Sequence, residues 1–406
     1  MKALNKKIIL VTLIAFIFSS AIAKDKIKEL QDNIDPIVKA ANCTVSVQVV
    51  SADKYDLLYS YHPQEKMIPA SITKLITSIT ALQVLGSGYN FKTIVYTDDN
   101  NLSDGVINGN IYIKGFGDPD LYSADIGWLA KGISEKKITE VTGNVIFDES
   151  FLDNNHYGLA DYYQNDTKKR DWPYITALTL NKNSGGYDPA STAAEQLKVD
   201  LESMSIKIDG IVVSGKAPAG AKQLSEFSHT ILDVLTNMNK ISDNLSAITV
   251  FKVIGAKYKG EPGTLDKGEQ AVNEFLTSIG TPRTIFEILE GSGLTRKNTV
   301  TSDLYIALLK YIYDDEKTFD FLYQTLPIGG KDGTLAHRMI GTEAEGNVHA
   351  KTGTLNSVSA LAGFAVSRDN ELLIFYINMN GFGGGSNNVR KMQDDICAYL
   401  CAFTRK

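Results

Sequence analysis

The sequence predicts a mixed α/β (α+β) fold, an antiparallel sheet flanked by helices, with a β-rich domain inserted into it. Three observations predict it. Strand-like alternation stands beside helical periodicity near both ends of the chain, short β-rich pieces between Asn-, Asp- and Gly-rich turns fill the middle, and helical periodicity then returns. The 406 residues, 43% hydrophobic and 22% charged, have globular composition and are too many for one small core.

Lys26 to Ala40 spaces Ile27, Leu30, Ile34, Ile37 and Val38 at nearly helical intervals. Thr44–Val50 and Asp56–Tyr61, joined by the polar Ser51-Ala52-Asp53-Lys54, read as a hairpin. Pro69 precedes Ser71 to Leu85, a helix-length segment with Leu75, Ile76, Ile79, Leu82 and Val84. Strands are expected at Lys92–Thr97, Val106–Lys114, Val141–Phe147, Leu197–Lys207 and Gly210–Gly215. Helices are expected at His229–Met238, Leu245–Tyr258, Leu265–Ile279, Ser302–Tyr313 and Asn388–Phe403. Ser357–Ser367 and Leu372–Asn380 form a second hairpin around Arg368–Asn370, and the terminal strands are expected to share one sheet. The expected division is 24–88 plus 226–406 for the main domain and 89–225 for the insertion.

The first 23 residues are of another kind. Lys2, Lys6 and Lys7 precede an almost unbroken apolar run from Ile8 to Ser20, then Ala21-Ile22-Ala23 and the charged Lys24-Asp25-Lys26. That order predicts a secretory signal cleaved near Ala23, with an uncleaved anchor as the alternative. The apolar run is shorter than the roughly 20 residues a spanning helix needs, so no stable membrane anchor is expected. The formal charge of −6 becomes more negative once those lysines leave, which argues against non-specific nucleic-acid binding. In an oxidising compartment one pair among Cys43, Cys397 and Cys401 could bridge, or all three could be small buried apolar side chains. The five histidines lack ligand spacing, so no metal site is expected, and no cofactor motif is present.

Three short elements carry chemistry. Ser71-Ile72-Thr73-Lys74 places a lysine one helical turn from a serine, where a neutral amine can take the hydroxyl proton. Alone it is more often an ordinary helix start. Ser242-Asp243-Asn244 puts a hydroxyl and an amide on one loop, and alone it reads as a helix cap before Leu245. Lys351-Thr352-Gly353-Thr354 leads into a strand, with a cation, two hydroxyls and a glycine that lets a ligand backbone approach the edge. Alone it is a polar strand entrance with a bulge.

Together and in this order, the three are the signature set of penicillin-binding proteins and serine β-lactamases. The chain further resembles the D-alanyl-D-alanine carboxypeptidase/endopeptidase family, the class C low-molecular-mass penicillin-binding proteins. That resemblance rests on Ile113 to Pro119, Glu290-Gly291-Ser292-Gly293-Leu294-Thr295-Arg296, Leu326 to Leu335 and Ala350 to Leu361, and on a stretch between Ser71 and Ser242 long enough for an inserted domain. One insertion is expected here, where larger relatives carry two.

The resemblance implies a serine β-lactamase/penicillin-binding transpeptidase-like fold. It implies catalysis by Ser71 as nucleophile, Lys74 as base and Ser242 as proton relay. Asn244 would bind a substrate amide, Lys351 would tune the field, and Thr352, Gly353 and Thr354 would line the substrate site, the two threonines holding its terminal carboxylate. Backbone N–H groups of Ser71 and Thr354 would form the oxyanion hole. Arg296 would bind a free carboxylate on the stem, with a surface ion pair as its other reading. The implied partners are peptidoglycan stem peptides ending in D-Ala-D-Ala, with β-lactam antibiotics as covalent inhibitors, and the implied setting is the periplasm. A β-lactamase and a catalytically idle peptidoglycan-binding scaffold are the rival readings.

Overall fold

Apolar strands near the two ends of the chain pair into one sheet. The structure, a computed structural model, describes residues 24–102, 104–159, 162–184 and 188–406. The expected signal segment, residues 1–23, lies outside the described residues. Residues 24–40 form α1, followed by β1 (Thr44–Ser51), β2 (Leu57–Tyr61), a helical turn at Ala70–Ile72 and α2 (Thr73–Leu85). The middle of the chain holds β3 (Asn90–Thr97), β4 (Val106–Ile107), β5 (Ile111–Gly115), α3 (Ser123–Ser134), β6 (Glu140–Val141) and β7 (Val145–Asp148). It continues through α4 (Pro189–Ser203), β8 (Lys207–Ile208), β9 (Val212–Ser214) and β10 (Lys222–Thr230). Then come α5 (Ile231–Lys240), α6 (Asn244–Lys259), α7 (Leu265–Ser278), β11 (Phe286–Glu287), β12 (Thr299–Val300), α8 (Ser302–Tyr313) and α9 (Glu316–Thr325). The chain ends with β13 (Val348–Leu355), β14 (Val358–Val366), β15 (Leu372–Asn380) and α10 (Asn387–Ala402).

The main sheet runs β13-β14-β15-β1-β2 with every pairing antiparallel. Its central strands are buried on both faces, so they read as unbroken apolar runs. Leu373, Phe375 and Ile377 face a core shared with Leu30 and Ile34 of α1 and Ile396 and Leu400 of α10. Ile374 and Tyr376, one residue out of phase, face the opposite core, built on α2 and α5 to α9. Helix α6 is buried without interruption from Leu245 to Ala256, which makes it the central rod of that layer.

A second five-stranded sheet, β10-β3-β5-β7-β9, organises the middle of the chain around its own core, which includes Val95, Ile113, Val145, Leu129 and Leu197. Here β10–β3 and β3–β5 are antiparallel, whereas β5–β7 and β7–β9 are parallel. Parallel neighbours need crossover connections, and α3 and α4 supply them. This region is therefore richer in helix than its sequence texture predicts. The strand expected at Leu197–Lys207 is a correction of the same kind: most of it is the C-terminal half of α4. Asp188 caps that helix by accepting from Ala190 N at 3.1 Å, Pro189 opens it, and Ala193, Ala194, Leu197 and Leu201 make its buried stripe.

Cys43, Cys397 and Cys401 are free thiols; the latter two are buried against the sheet on one face of α10, where burial pushes the Cys397 thiol up. Among the described residues no helix is long and apolar enough to cross a membrane, and no group of three or more His, Cys, Asp or Glu side chains could hold a metal ion.

Arg405 fastens the end of the chain to the main sheet. It donates to Asp56 through two bonds of 2.8 Å and to Glu371 through two more of 2.8 Å. Burial alone would raise the Glu371 carboxyl, but bonds from Arg405, Ser51 and Lys54 override it and hold it down at about 2. A carboxyl held below its ordinary 4.5 stabilises the fold above that pH and ceases to do so as pH falls toward 2. Arg405→Met is therefore expected to cost about 3 kcal/mol at pH 7, with the deficit narrowing between pH 4.5 and 2. Thermal denaturation across that range checks it; a deficit independent of pH would mean Arg405 acts through packing alone.

Candidate active site

The turn before α2 presents a serine because two residues take uncommon backbone conformations against each other. Ala70 has φ +49° and Gly293 has φ +82°, and a Cβ on Gly293 would lie 1.9 Å from the Ala70 carbonyl oxygen. Only glycine fits there. Ser71 follows on the turn, and Lys74 sits one helical turn further on, with no solvent exposure. Lys74 Nζ donates to Ser71 Oγ at 3.0 Å, Asn244 Oδ1 at 2.8 Å and the Ser292 carbonyl at 2.7 Å. All three acceptors are uncharged. Burial brings the ammonium down to about 8, against the opposing charges of Glu290 and Asp243.

Ser242 lies between α5 and α6 with φ +61°. Asp243 caps α6 by accepting from Leu245 N at 3.1 Å, so the capping and catalytic readings of Ser-Asp-Asn are compatible. The cap fixes Asn244 as the first helical residue, from which its amide oxygen reaches Lys74. A second fully buried lysine completes the group: Lys351 Nζ donates to Ser242 Oγ at 2.8 Å and to the Thr352 carbonyl at 3.0 Å. Burial and the neighbouring Lys74 charge hold it well below the ordinary lysine range.

The glycine of Lys351-Thr352-Gly353-Thr354 meets a demand of the fold in addition to the ligand approach read from sequence. A Cβ at Gly353 would come within 2.5 Å of the Pro69 carbonyl and 3.1 Å of Ile72 N. The backbone that approaches β13 is the chain's own serine turn. Thr352 and Thr354, two residues apart on β13, both line a cleft of about 640 Å³ together with Ser71, Ser242, Thr334 and Arg390. Thr352 Oγ1 donates to Thr334 Oγ1 at 2.7 Å, and Arg390 Nη2 donates to Thr354 Oγ1 at 3.2 Å.

Eight of the nine residues named from sequence thus converge. Arg296 does not line this cleft. Its guanidinium donates to both Asp166 oxygens at 2.7 and 2.9 Å and to the Asn356 carbonyl at 2.6 Å, and it lies over the Tyr163 ring. Its charge is matched within the chain.

Sequence reasoning assigned no role to several residues that build the site. The buried Glu290 carboxylate accepts from Ser292 N at 2.8 Å, Ser292 Oγ at 2.5 Å and Gly293 N at 2.6 Å, shaping the loop that turns the Ser292 carbonyl toward Lys74. The alternating glycines of Glu290-Gly291-Ser292-Gly293 were the available signal. Lys182 donates to Asp120, to Asp243 Oδ2 at 2.8 Å and to Ser246 Oγ at 3.0 Å, tying the middle region to the cap of α6. Nothing in its local sequence marks it.

With this geometry in place, the likeness to known proteins is extensive. A D-alanyl-D-alanine carboxypeptidase of Actinomadura sp. (strain R39) is 28% identical over 466 residues, covering 93% of this chain and 85% of the relative. The D-alanyl-D-alanine carboxypeptidase DacB of Haemophilus influenzae is 24% identical over 402 residues, covering 81% of this chain and 84% of the relative. The crystal structure of penicillin binding protein 4 (dacB) from Haemophilus influenzae superposes with a TM-score of 0.80 at 22% identity, covering 90% of this chain and 98% of that one. Residues 27–187 and 185–401 match the D-Ala-D-Ala carboxypeptidase 3 (S13) family, and the chain belongs to that family.

Proposed function

We propose that this chain is a serine-type D-Ala-D-Ala carboxypeptidase/endopeptidase that cleaves peptidoglycan stem peptides through an acyl-enzyme at Ser71, and that penicillin acylates the same serine. The observation that carries this reading is the fully buried Lys74 amine, 3.0 Å from Ser71 Oγ and surrounded by uncharged acceptors. An amine held near 8 is partly neutral at physiological pH, and only the neutral form can accept a proton.

The chemistry follows from the neighbours. Neutral Lys74 takes the Ser71 proton as Oγ attacks the carbonyl of the penultimate D-Ala. Backbone N–H groups of Ser71 and Thr354 receive the developing oxyanion, each such donor being worth ~3 kcal/mol in other hydrolases. The C–N bond breaks as Ser242, hydrogen-bonded to Lys351, gives its proton to the departing amine and takes in return the proton that Lys74 carries. Neutral again, Lys74 accepts a proton from the water that attacks the ester and returns it to Ser71 Oγ as the ester C–O bond breaks. Asn244 orients Lys74 and offers its amide N–H groups to substrate, while Thr352 and Thr354 hold the terminal carboxylate. Arg296, paired with Asp166, stands outside this cleft. The signal-like first 23 residues support secretion, with the periplasm as the place of work.

Intact-protein mass after exposure to benzylpenicillin tests the nucleophile. One stable adduct is expected on the wild type and none on Ser71→Ala. Penicillin left unchanged by the wild type would favour a scaffold, and steady destruction without a lasting adduct would make the chain a β-lactamase.

The protonation state supplies an independent check. Because acylation needs neutral Lys74, its rate is expected to rise with pH and level off above about 8. Glu290 raises the lysine, so Glu290→Gln is expected to move that rise to lower pH. Stopped-flow acylation rates from pH 5 to 10 measure both; a flat profile would remove Lys74 from the base role.

A further inference from the structure

Arg390 stands near the start of α10 and reaches the same cleft as Ser71, Ser242, Thr352 and Thr354. A guanidinium offers five N–H donors in a planar fork. Its one side-chain hydrogen bond is from Nη2 to Thr354 Oγ1, 3.2 Å away, and among the described residues it forms no ion pair. The carboxylate one helical turn along, Asp394, is taken by Arg338, whose Nε and Nη2 donate to Asp394 Oδ1 at 3.0 and 2.7 Å. Arg338 Nη2 also donates to Gln393 Oε1 at 3.1 Å and to the Arg390 carbonyl at 3.2 Å, which fixes the backbone from which Arg390 extends. Lys391 is occupied by Asp395 at 2.7 Å. Among the described residues of this wall Arg338 and Lys391 are thus paired with carboxylates of α10, which leaves the Arg390 guanidinium facing the cleft that also holds the buried Lys74 and Lys351.

An unmatched, half-buried cation costs free energy that a bound anion recovers. The fork matches a carboxylate in shape as well as charge. Thr352 and Thr354 present hydroxyls from the same strand, and Arg390 touches the second of them. We propose that Arg390 is a substrate ligand for the carboxylate of the residue that follows the scissile bond, and that it makes a free carboxylate at that position a requirement for fast acylation. This rests on the assignment of Ser71 as the acylated nucleophile.

Benzylpenicillin and its methyl ester differ only in that carboxylate and report on both assignments. Second-order acylation rates are read by intact mass for wild type, Arg390→Met and Arg390→Lys. The wild type is expected to prefer the free acid. Arg390→Met is expected to lose roughly ten- to a hundredfold on the acid while staying within about twofold on the ester, with Arg390→Lys between. Equal losses on both compounds would mean that Arg390 only positions Thr354, and unchanged rates would mean that it binds nothing here; either overturns the proposal. Should Arg390→Met fail to fold, judged by its melting curve, Arg390→Gln gives the same comparison. A wild type that forms no adduct with either compound overturns the Ser71 assignment and this proposal together, whereas an adduct with no dependence on Arg390 overturns this proposal alone.

Discussion

Burying an ammonium costs several kcal/mol unless it is paired and hydrogen-bonded, and this chain buries two, Lys74 and Lys351, in one cleft where neither forms an ion pair among the described residues. The fold pays in hydrogen bonds to neutral oxygens. Lys74 is held by a hydroxyl, an amide and a carbonyl drawn from three separate segments, and Lys351 by a hydroxyl and a carbonyl from two. A carboxylate in place of the hydroxyl or amide acceptors would stabilise the protonated amine and deplete the neutral form that the proposed base requires. The acidic groups that are present, Glu290 and Asp243, act from further away and are themselves occupied by backbone donors. Distance and competing bonds let them moderate the lysine without neutralising it.

Holding five segments in register around that cleft explains why the middle region is joined to it at more than one place. Lys182 reaches Asp243 from one side, and the same carboxylate caps α6, so the position of Ser242 and Asn244 depends on both units. Asp166 clasps Arg296 beyond the Glu290–Gly293 loop and also accepts from Asn356 N at 2.7 Å, at the turn between β13 and β14. The pairing of Arg296 with Asp166 thus links the loop that holds Lys74 to the strand that carries Lys351. Surface ion pairs contribute little, but the Asp166 side chain is buried and that of Arg296 is only 30% exposed, so this two-bond contact is partly shielded from solvent and stiffens the link.

The sequence was legible where information is local. Runs of apolar residues of helix or strand length located α2, α6, α7, α8, α10 and the final hairpin, because the residues each element buries lie within its own segment. The three motifs located the reactive groups, because i and i+3 on a helix, or i and i+2 on a strand, share a face whatever surrounds them. It was illegible where the deciding partner is distant. Arg296 was visible as a residue, but Asp166, which takes its charge, lies 130 positions away. Lys182 and Arg390 act through contacts that no local pattern encodes. Helix α4 was misread because Leu197–Lys207 carries β-branched residues within a segment whose start is set by the Asp188 cap. Gly353 was recognised from its motif, but its close contact with the Pro69–Ile72 turn, more than 280 positions earlier in the chain, was not legible.

That last contact explains how the strained residues persist. Ala70 and Ser242 both adopt left-handed backbone conformations that side chains disfavour. Such conformations last only where the surroundings exclude the alternatives. Gly293 packs on the Ala70 carbonyl and Gly353 on Pro69 and Ile72, so the serine turn is gripped between a loop and a strand that have no side chains to keep them apart. A methyl group at either glycine would overlap the serine turn, 1.9 Å from the Ala70 carbonyl oxygen or 2.5 Å from that of Pro69, and would displace the turn that holds Ser71 Oγ 3.0 Å from Lys74 Nζ. The backbone strain is present before substrate arrives, so Ser71, Lys74 and Ser242, in the roles proposed for them, need little rearrangement. In a site whose charges are stabilised by fixed dipoles rather than by counter-ions, that preorganisation is what the proposed use of a buried lysine as base requires.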